Sequence, residues 1–251
     1  MGPHPGDIIA AAKTAWDAAK AAWDPAAVPP KLPSNDMRWL DRYVRIRPGT
    51  NIAFNNGILN AIIAWMSDKK GSGGYDGAMG YGSVPETIDI VLVSHDHPDH
   101  NFVQGLQGNP RVVKGPGIHT ASGIAFKGIP TYHDTTKGGE RGENVIFCFT
   151  VDDVRLCHLG DLGHALDAKA ASAIGTVDVL MMPVGGFYTI DAAAATNVMN
   201  TLKPRLVIPM HFKTFPILVQ DASGFIDLVG KEAPGVEIVS LNPGEEYLYS
   251  K

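Results

Sequence analysis

The chain has 251 residues, of which 45% are apolar and 19% charged, and its formal net charge is −5. This composition is typical of a globular protein and excludes a disordered acidic chain, and no run reaches the roughly 18 apolar residues that a membrane span needs. The mild acidity argues against a surface built for nucleic-acid phosphates. Two cysteines exclude a disulfide scaffold. The first residues do not resemble a signal peptide, so we expect a cytoplasmic protein.

The first 36 residues differ from the rest of the chain. Residues 7–23 are rich in alanine and carry apolar side chains at helical spacing, Trp16 and Trp23 among them. Four prolines between residues 25 and 33 predict an extended linker. We therefore predict an N-terminal helical extension and proline-rich linker over 1–36 and one domain over 37–251. The pattern favours packing of the helix on the domain over binding to a partner, and it leaves homo-oligomer formation open.

The domain alternates short apolar strands with turns and helices. Residues 38–47 predict a strand, 57–66 fit a strand or a helix, and the glycine-rich residues 71–83 predict a long loop. Further strands are predicted at 88–93, 112–114, 118–127, 130–132, 144–150, 154–159, 177–182, 206–209, 236–239 and 246–249, and helices at 191–202 and 222–232. If Asp152-Asp153 is a hairpin turn, Cys148 and Cys157 face each other, and we expect both thiols to be free. The sum is a mixed α/β domain.

The strongest motif is Ser94-His95-Asp96-His97-Pro98-Asp99-His100, directly after the strand at 88–93. His95 and His97 are two residues apart, so they project to the same side of an extended chain. Pro98 favours a first helical turn, and that bend can bring Asp99 and His100 back to the same point. Three imidazoles and a carboxylate indicate a metal site, and they are too many for one tetrahedral ion with an open position. Two metal ions are the natural solution.

Three further polar residues stand where a predicted strand opens into a loop. His133 follows residues 130–132, Asp161 follows 154–159 and His211 follows 206–209. Loops at strand ends commonly carry the sites of layered α/β proteins. We predict that these three residues join the histidine motif, whereas His158, inside a strand, is expected to be a core residue or to support the ligands.

These motifs resemble those of the metallo-β-lactamase fold hydrolases. The match runs through His95-x-His97-x-Asp99-His100, His133, Gly160-Asp161 and His211. Within that superfamily, residues 85–250 look most like the ascorbate-6-phosphate-lactonase-like branch of metal-dependent hydrolases. The resemblance implies an α/β fold, a four-layer αββα sandwich of two mixed sheets flanked by helices, with the site at one edge of the sheets.

The resemblance also implies how the metal ligands are shared. It places three residues on a first metal ion, three on a second and one between the two: His95, His97 and His133; Asp99, His100 and His211; and Asp161. Five histidines favour zinc, with manganese and iron as alternatives.

The first third of the domain departs from the family pattern. The family usually has an Asp-Pro pair after an apolar strand, and that Asp supports the metal ligands from behind. This chain has Ile62-Ile63-Ala64-Trp65 at the corresponding place. Region 37–84 therefore leaves a non-catalytic, metal-binding member of the fold as an alternative.

Three residues are candidates for substrate binding: Arg141, His164 and Tyr188. Arg141 lies in the glycine-rich stretch 138–142, where its guanidinium could bind a phosphate or carboxylate or simply be solvated. His164 lies three residues beyond Asp161, and Tyr188 follows a Gly-Gly pair that could serve only a turn.

The expected chemistry is hydrolysis by water. The chain has neither a Gly-x-Ser-x-Gly elbow nor a P-loop, so a hydroxide bridging two metal ions is the nucleophile we expect. It would attack a small ester, lactone or phosphoester, with Asp161 bridging the ions and Asp99 passing a proton to the leaving group. A phosphodiesterase or nuclease is the alternative, but only Lys137, Arg141 and Lys213 suggest a basic strip. We expect a small-molecule substrate, with no nucleic-acid or membrane partner.

Overall fold

The computed structural model describes residues 44–47, 53–55, 60–63, 87–97, 99–101, 103–213, 217–241 and 247–249. The predicted extension over 1–36 and the predicted loop over 71–83 lie outside these ranges. Within the described part of the chain, no helix is both long and apolar enough to cross a membrane.

The first sheet has six strands in the described residues. They are β1 (Val44–Arg47), β2 (Ala53–Asn55), β3 (Asn60–Ile63), β4 (Ile90–Val93), β5 (Arg111–Lys114) and β13 (Tyr247–Tyr249). Their order is β13-β1-β2-β3-β4-β5. The pairs β3–β4 and β4–β5 are parallel and the others antiparallel, so the sheet is mixed.

The second sheet has seven strands. They are β6 (Gly117–Ala121), β7 (Ile124–Tyr132), β8 (Glu143–Val151), β9 (Val154–His158), β10 (Val179–Pro183), β11 (Leu206–Met210) and β12 (Glu237–Ile238). Their order is β12-β11-β10-β9-β8-β7-β6. Strands β6 to β9 pair antiparallel and β9 to β12 parallel, so this sheet is mixed too.

Apolar alternation along the strands builds the layers. On β8, Phe147 belongs to the core shared with Ile90 and Leu92 of β4, so the two sheets pack face to face. The neighbouring Ile146 points the other way, into the core beneath the helices. These helices are α1 (Ala168–Ile174), α2 (Ala192–Leu202) and α3 (Ser223–Glu232). The predicted α/β sandwich of two mixed sheets is confirmed.

The hairpin between β8 and β9 has the predicted register. Cys148 pairs with Cys157, and the turn residues Asp152 and Asp153 both have positive φ. The two Sγ atoms lie 3.5 Å apart without a disulfide bond. A turn of this kind matches the twist of the flanking strands, which explains why a two-residue connection sets the register.

In the second sheet and its helices, two strand boundaries were predicted wrongly and one helix was missed. The strand predicted at 118–127 is broken by a turn at Ser122-Gly123, where both residues have positive φ. The predicted break near residue 128 does not exist, because β7 runs through it; a Cβ at Gly128 would lie 2.4 Å from the Gly115 carbonyl oxygen, so glycine permits a close backbone approach there. Helix α1 was missed, although Asp167 caps its first turn.

Candidate metal centre

The predicted metal ligands lie where strands of both sheets end. His95 and His97 follow β4 of the first sheet, whereas His133, Asp161 and His211 follow β7, β9 and β11 of the second. Short apolar strands fix the backbone up to these points, and the loops that leave them carry the polar side chains. The site therefore lies at one edge of the sandwich.

The imidazoles converge on the carboxylate of Asp161. Its Oδ2 atom lies 3.1 Å from Nε2 of His133 and 3.1 Å from Nε2 of His211. The Nε2 atoms of His100 and His95 lie 3.4 Å and 3.8 Å from the same oxygen. Four histidines from three segments of the chain thus surround one carboxylate oxygen.

The other two predicted ligands adjoin this cluster. The ring of His97 lies 4.7 Å from that of His95 and 4.9 Å from that of His133, between centroids. Oδ2 of Asp99 is 3.5 Å from Nε2 of His100. The structure thus brings all seven predicted ligand residues to one place.

Two groups of these residues have ligand atoms within 4.8 Å of one another: His95, His97 and His133; and His95, His100 and Asp161. The first group is the set that the resemblance places on one metal ion. The second shares His95 with the first and differs from the set expected for the other ion. The division of the ligands between two ions therefore stays a prediction.

Several buried ring nitrogens have no hydrogen-bond partner among the described residues. Among the predicted ligands these are Nε2 of His95, both ring nitrogens of His100, Nδ1 of His133 and Nδ1 of His211. An unsatisfied buried polar atom costs about 1–3 kcal/mol, so a group of them is rarely kept without a function. Imidazole nitrogens beside carboxylates are the donors that zinc, manganese and iron accept, so a divalent metal ion fits this site.

The protonation states of His95, His97 and Asp161 suit metal binding. Burial, helped by the nearby His100, holds the pKa of His95 well below its ordinary value, and burial likewise lowers the pKa of His97. Burial alone would raise the pKa of Asp161, but the imidazoles of His100 and His211 outweigh it and hold that pKa well below its usual range. Neutral imidazole and ionised carboxylate are the forms that bind metal ions.

Asn144, fully buried at the start of β8, fixes the backbone that carries Asp161. Its Oδ1 accepts a hydrogen bond of 2.9 Å from the Asp161 backbone N–H, and its Nδ2 donates to the Leu159 carbonyl oxygen and to the Thr131 hydroxyl. Gly160 has a φ of 58°, and a Cβ there would lie 2.2 Å from the Asn144 carboxamide oxygen. Only glycine therefore lets the loop close on Asn144.

Asp134, next to His133, organises the loop that follows. Its buried carboxylate accepts hydrogen bonds from the backbone N–H groups of Thr136, Gly138, Glu140 and Arg141 and from the Thr136 hydroxyl. Burial works to raise the pKa of Asp134, but these donors, that of Arg141 first, hold it far below its usual value. The loop therefore has a defined backbone.

The predicted substrate residues have different positions. Arg141 lines a cavity of about 340 Å³ together with His95 and His97, and its Cζ lies 5.9 Å from the centre of the Tyr188 ring. His164 accepts a hydrogen bond from the Tyr132 backbone N–H through Nε2, and its Nδ1 lies 2.8 Å from the Ala165 carbonyl oxygen. Both ring nitrogens of His164 are thus engaged with the backbone, and its role towards substrate stays a prediction.

Asn144 and Asp134 were not predicted from the sequence as supporting residues of the site. Asn144 left a signal, because it is a polar residue at the head of the apolar run 145–149. Asp134 left another, because Asp followed by Thr-Thr-Lys-Gly-Gly is typical of a turn that an Asp side chain closes. Neither pattern indicates that Asn144 or Asp134 supports the metal centre.

Comparisons with known proteins identify the family. The family described as "Beta-lactamase superfamily domain" matches residues 48–211. A curated Archaeoglobus fulgidus protein named UPF0173 metal-dependent hydrolase is 30% identical in an alignment 198 positions long, which covers 66% of this chain and 85% of that protein. The chain belongs to the UPF0173 metal-dependent hydrolase family of the β-lactamase superfamily. A UPF0173 relative from Carboxydothermus hydrogenoformans is 31% identical over 63% of this chain and 81% of its own.

Solved structures of the metallo-β-lactamase superfamily share the fold of this UPF0173 protein. A Thermotoga maritima protein of that superfamily has 28% identity and a TM-score of 0.61, over 78% of this chain and 97% of its own. Igni18, a metallo hydrolase from Ignicoccus hospitalis, has 18% identity and a TM-score of 0.64, over 83% and 99%, which shows the fold alone. The protein is thus a metal-dependent hydrolase of this superfamily. Its closer resemblance to the ascorbate-6-phosphate-lactonase-like branch stays a prediction.

Proposed function

We propose that this protein is a dinuclear metal-dependent hydrolase that acts on a small ester, lactone or phosphoester. The observation that carries the proposal is the set of four imidazoles within 3.8 Å of Oδ2 of Asp161. Five histidines and two carboxylates exceed the needs of one open tetrahedral ion, which supports two. Zinc is our first choice, with manganese and iron as alternatives.

The residues that would hold the ions are the seven predicted ligands: His95, His97, Asp99, His100, His133, Asp161 and His211. Bound by these residues, two divalent ions would lower the pKa of water from about 15.7 towards 7 and would polarise the substrate oxygen. Asp161, kept ionised by its imidazole neighbours, is suited to bridging. Asp99 lies at the edge of the cluster, 3.5 Å from His100, where its carboxyl group can pass a proton to a leaving group.

The cavity supports a small-molecule substrate. A volume of about 340 Å³ lies within the range of small-ligand pockets. A lactone substrate would agree with the proposed resemblance to the ascorbate-6-phosphate-lactonase-like branch. Arg141 lines this cavity and its guanidinium adjoins the Tyr188 ring, which supports the roles in substrate binding proposed for them.

The test is a hydrolysis screen of the metal-loaded protein over lactones, phosphodiesters and thioesters. We expect turnover that disappears in Asp161→Ala and His97→Ala and survives in Asp227→Ala, which changes an exposed carboxylate on α3. Undiminished hydrolysis in Asp161→Ala would contradict the mechanism. Salt-dependent retardation of an oligonucleotide would favour the nuclease alternative. Full metal content without any turnover would favour a non-catalytic member of the fold.

A further inference from the structure

The loop between β7 and β8 presents one cation to the metal centre from a fixed backbone. Asp134 holds the backbone N–H of Arg141 at 2.7 Å, and the Gly142 carbonyl oxygen accepts a hydrogen bond of 3.0 Å from the backbone N–H of His133. These two hydrogen bonds tie Arg141 and Gly142, just before β8, to Asp134 and to the predicted metal ligand His133, just after β7. The backbone that carries the Arg141 guanidinium therefore has a fixed position beside the metal centre.

The surroundings of the Arg141 side chain leave it available to a ligand. Within the described residues its guanidinium forms an ion pair from Nη1 to Oε2 of Glu140 at 3.5 Å, and both side chains are partly exposed, so that contact is weak. Lys114, the other cation of the cavity wall, is already bound by Asp96 at 2.5 Å. The cavity wall also includes the carboxylate of Glu143. Among the described residues that line the cavity, Arg141 is thus the cation that forms no ion pair with another lining residue.

Tyr188 gives the guanidinium a second support. The Arg141 Cζ atom lies 5.9 Å from the ring centre, within the range of a cation–π contact. Tyr188 follows β10, so a residue from a different segment steadies the plane of the guanidinium. A steadied guanidinium presents paired N–H donors that match a carboxylate or a phosphate.

We propose that substrates of this hydrolase carry an anionic group, a carboxylate or a phosphate, beside the scissile bond and that Arg141 binds it with Tyr188 as its support. The inference rests on the proposed function and names the substrate class of that same site. His95 and His97 line the same cavity as Arg141, so one small molecule can reach both the metal centre and the guanidinium.

The experiment measures ligand binding by titration calorimetry on the metal-loaded protein, so it does not depend on turnover. The probes are glutarate and pentanoate, and succinate and butyrate, which form two pairs that differ in one terminal carboxylate. Because a charge-assisted hydrogen-bond pair is stronger than a solvated contact, we expect at least one diacid to bind about tenfold more tightly than its monoacid. Arg141→Gln should abolish this difference, Arg141→Lys should keep part of it and Tyr188→Leu should weaken it.

The matched control is Lys137→Gln, which removes an exposed cation from the same loop without touching the cavity wall, and it should keep the full difference. Unchanged melting temperatures confirm that the variants fold. Tighter binding of 4-phosphonobutyrate than of glutarate assigns the anion to a phosphate, and the reverse assigns it to a carboxylate. Equal binding within both pairs, or a difference that survives Arg141→Gln, overturns the inference alone. A chain that takes up no metal ion overturns the proposed function and this inference together.

Discussion

Asp134 and Asp161 are two buried carboxylates, with 2% and 3% of their surface exposed, in opposite surroundings. The carboxylate of Asp134 receives its hydrogen bonds from the loop that it begins, over the next seven residues. Asp161 stands among imidazoles from distant segments, several of whose nitrogens lack partners in the described part of the chain. A buried charge with local donors organises a loop, whereas one ringed by under-satisfied nitrogens indicates a ligand.

The sharpest test of this contrast exchanges each carboxylate for its amide. We expect Asp161→Asn to lose bound metal and to lower kcat/KM by ~100-fold or more, because it removes the charge that attracts both ions. Asp134→Asn should keep metal at saturation but melt at a lower temperature, because an amide cannot accept all the hydrogen bonds of the loop. The measurements are metal content, hydrolysis and thermal unfolding. Equal metal loss in the two variants would erase the distinction.

Removal of the metal should lower the melting temperature only where the Asp161 cluster is intact. A ligand present at a thousand times its Kd stabilises the folded state by about 4 kcal/mol. For a chain of this length that corresponds to roughly 10 °C in melting temperature. We expect the chelated wild-type protein to melt earlier by about this amount and to recover when zinc is returned. Asp161→Asn should show little response to the chelator, and a wild-type protein that is equally indifferent would count against the metal centre.

Asn144, which hydrogen-bonds to the backbone on both sides of Gly160, tests whether the Asp161 loop needs support to bind metal. Asn144→Ala leaves the Asp161 N–H and the Leu159 carbonyl oxygen without their partner, which should cost about 1–3 kcal/mol of unfolding free energy. Metal affinity should fall by ~10–100-fold, because supporting residues orient the ligands. The control is Asn101→Ala, which removes a hydrogen bond to the exposed Asp96. Unchanged metal affinity in Asn144→Ala would mean that the Asp161 loop needs no such support.

His158 provides the smallest effect, on pH dependence. Burial lowers its pKa to about 3, and its Nδ1 accepts a hydrogen bond from the Gly160 backbone N–H. Below its ordinary pKa near 6.5 the unfolded chain binds a proton that the folded chain does not, so this residue destabilises the fold as the pH falls towards 3. Between pH 7 and pH 5 the wild-type protein should lose roughly 2 kcal/mol more than His158→Asn, which keeps an acceptor for Gly160. Parallel pH curves from chemical denaturation would show that His158 is not buried in the neutral form.

Local signals account for what the sequence predicted well. The register of the β8–β9 hairpin depends on a two-residue turn, and the motif His95 to His100 places its ligands within six residues. Long-range contacts account for what it missed. The continuity of β7 through Gly128 depends on the Gly115 backbone, and the role of Asn144 depends on residues 13 to 17 positions away in the chain. Such contacts leave no periodicity and no spacing to detect.

The proposal stands or falls with the binding of two divalent metal ions by the Asp161 cluster. Elemental mass spectrometry on protein purified without added metal tests it most directly, with His97→Ala and Asp227→Ala measured beside the wild type. We expect about two equivalents of zinc, manganese or iron per chain in the wild type and in Asp227→Ala, and a clear fall in His97→Ala. A wild-type chain that carries no metal ion, and takes none up after incubation with zinc, manganese or iron, would contradict it.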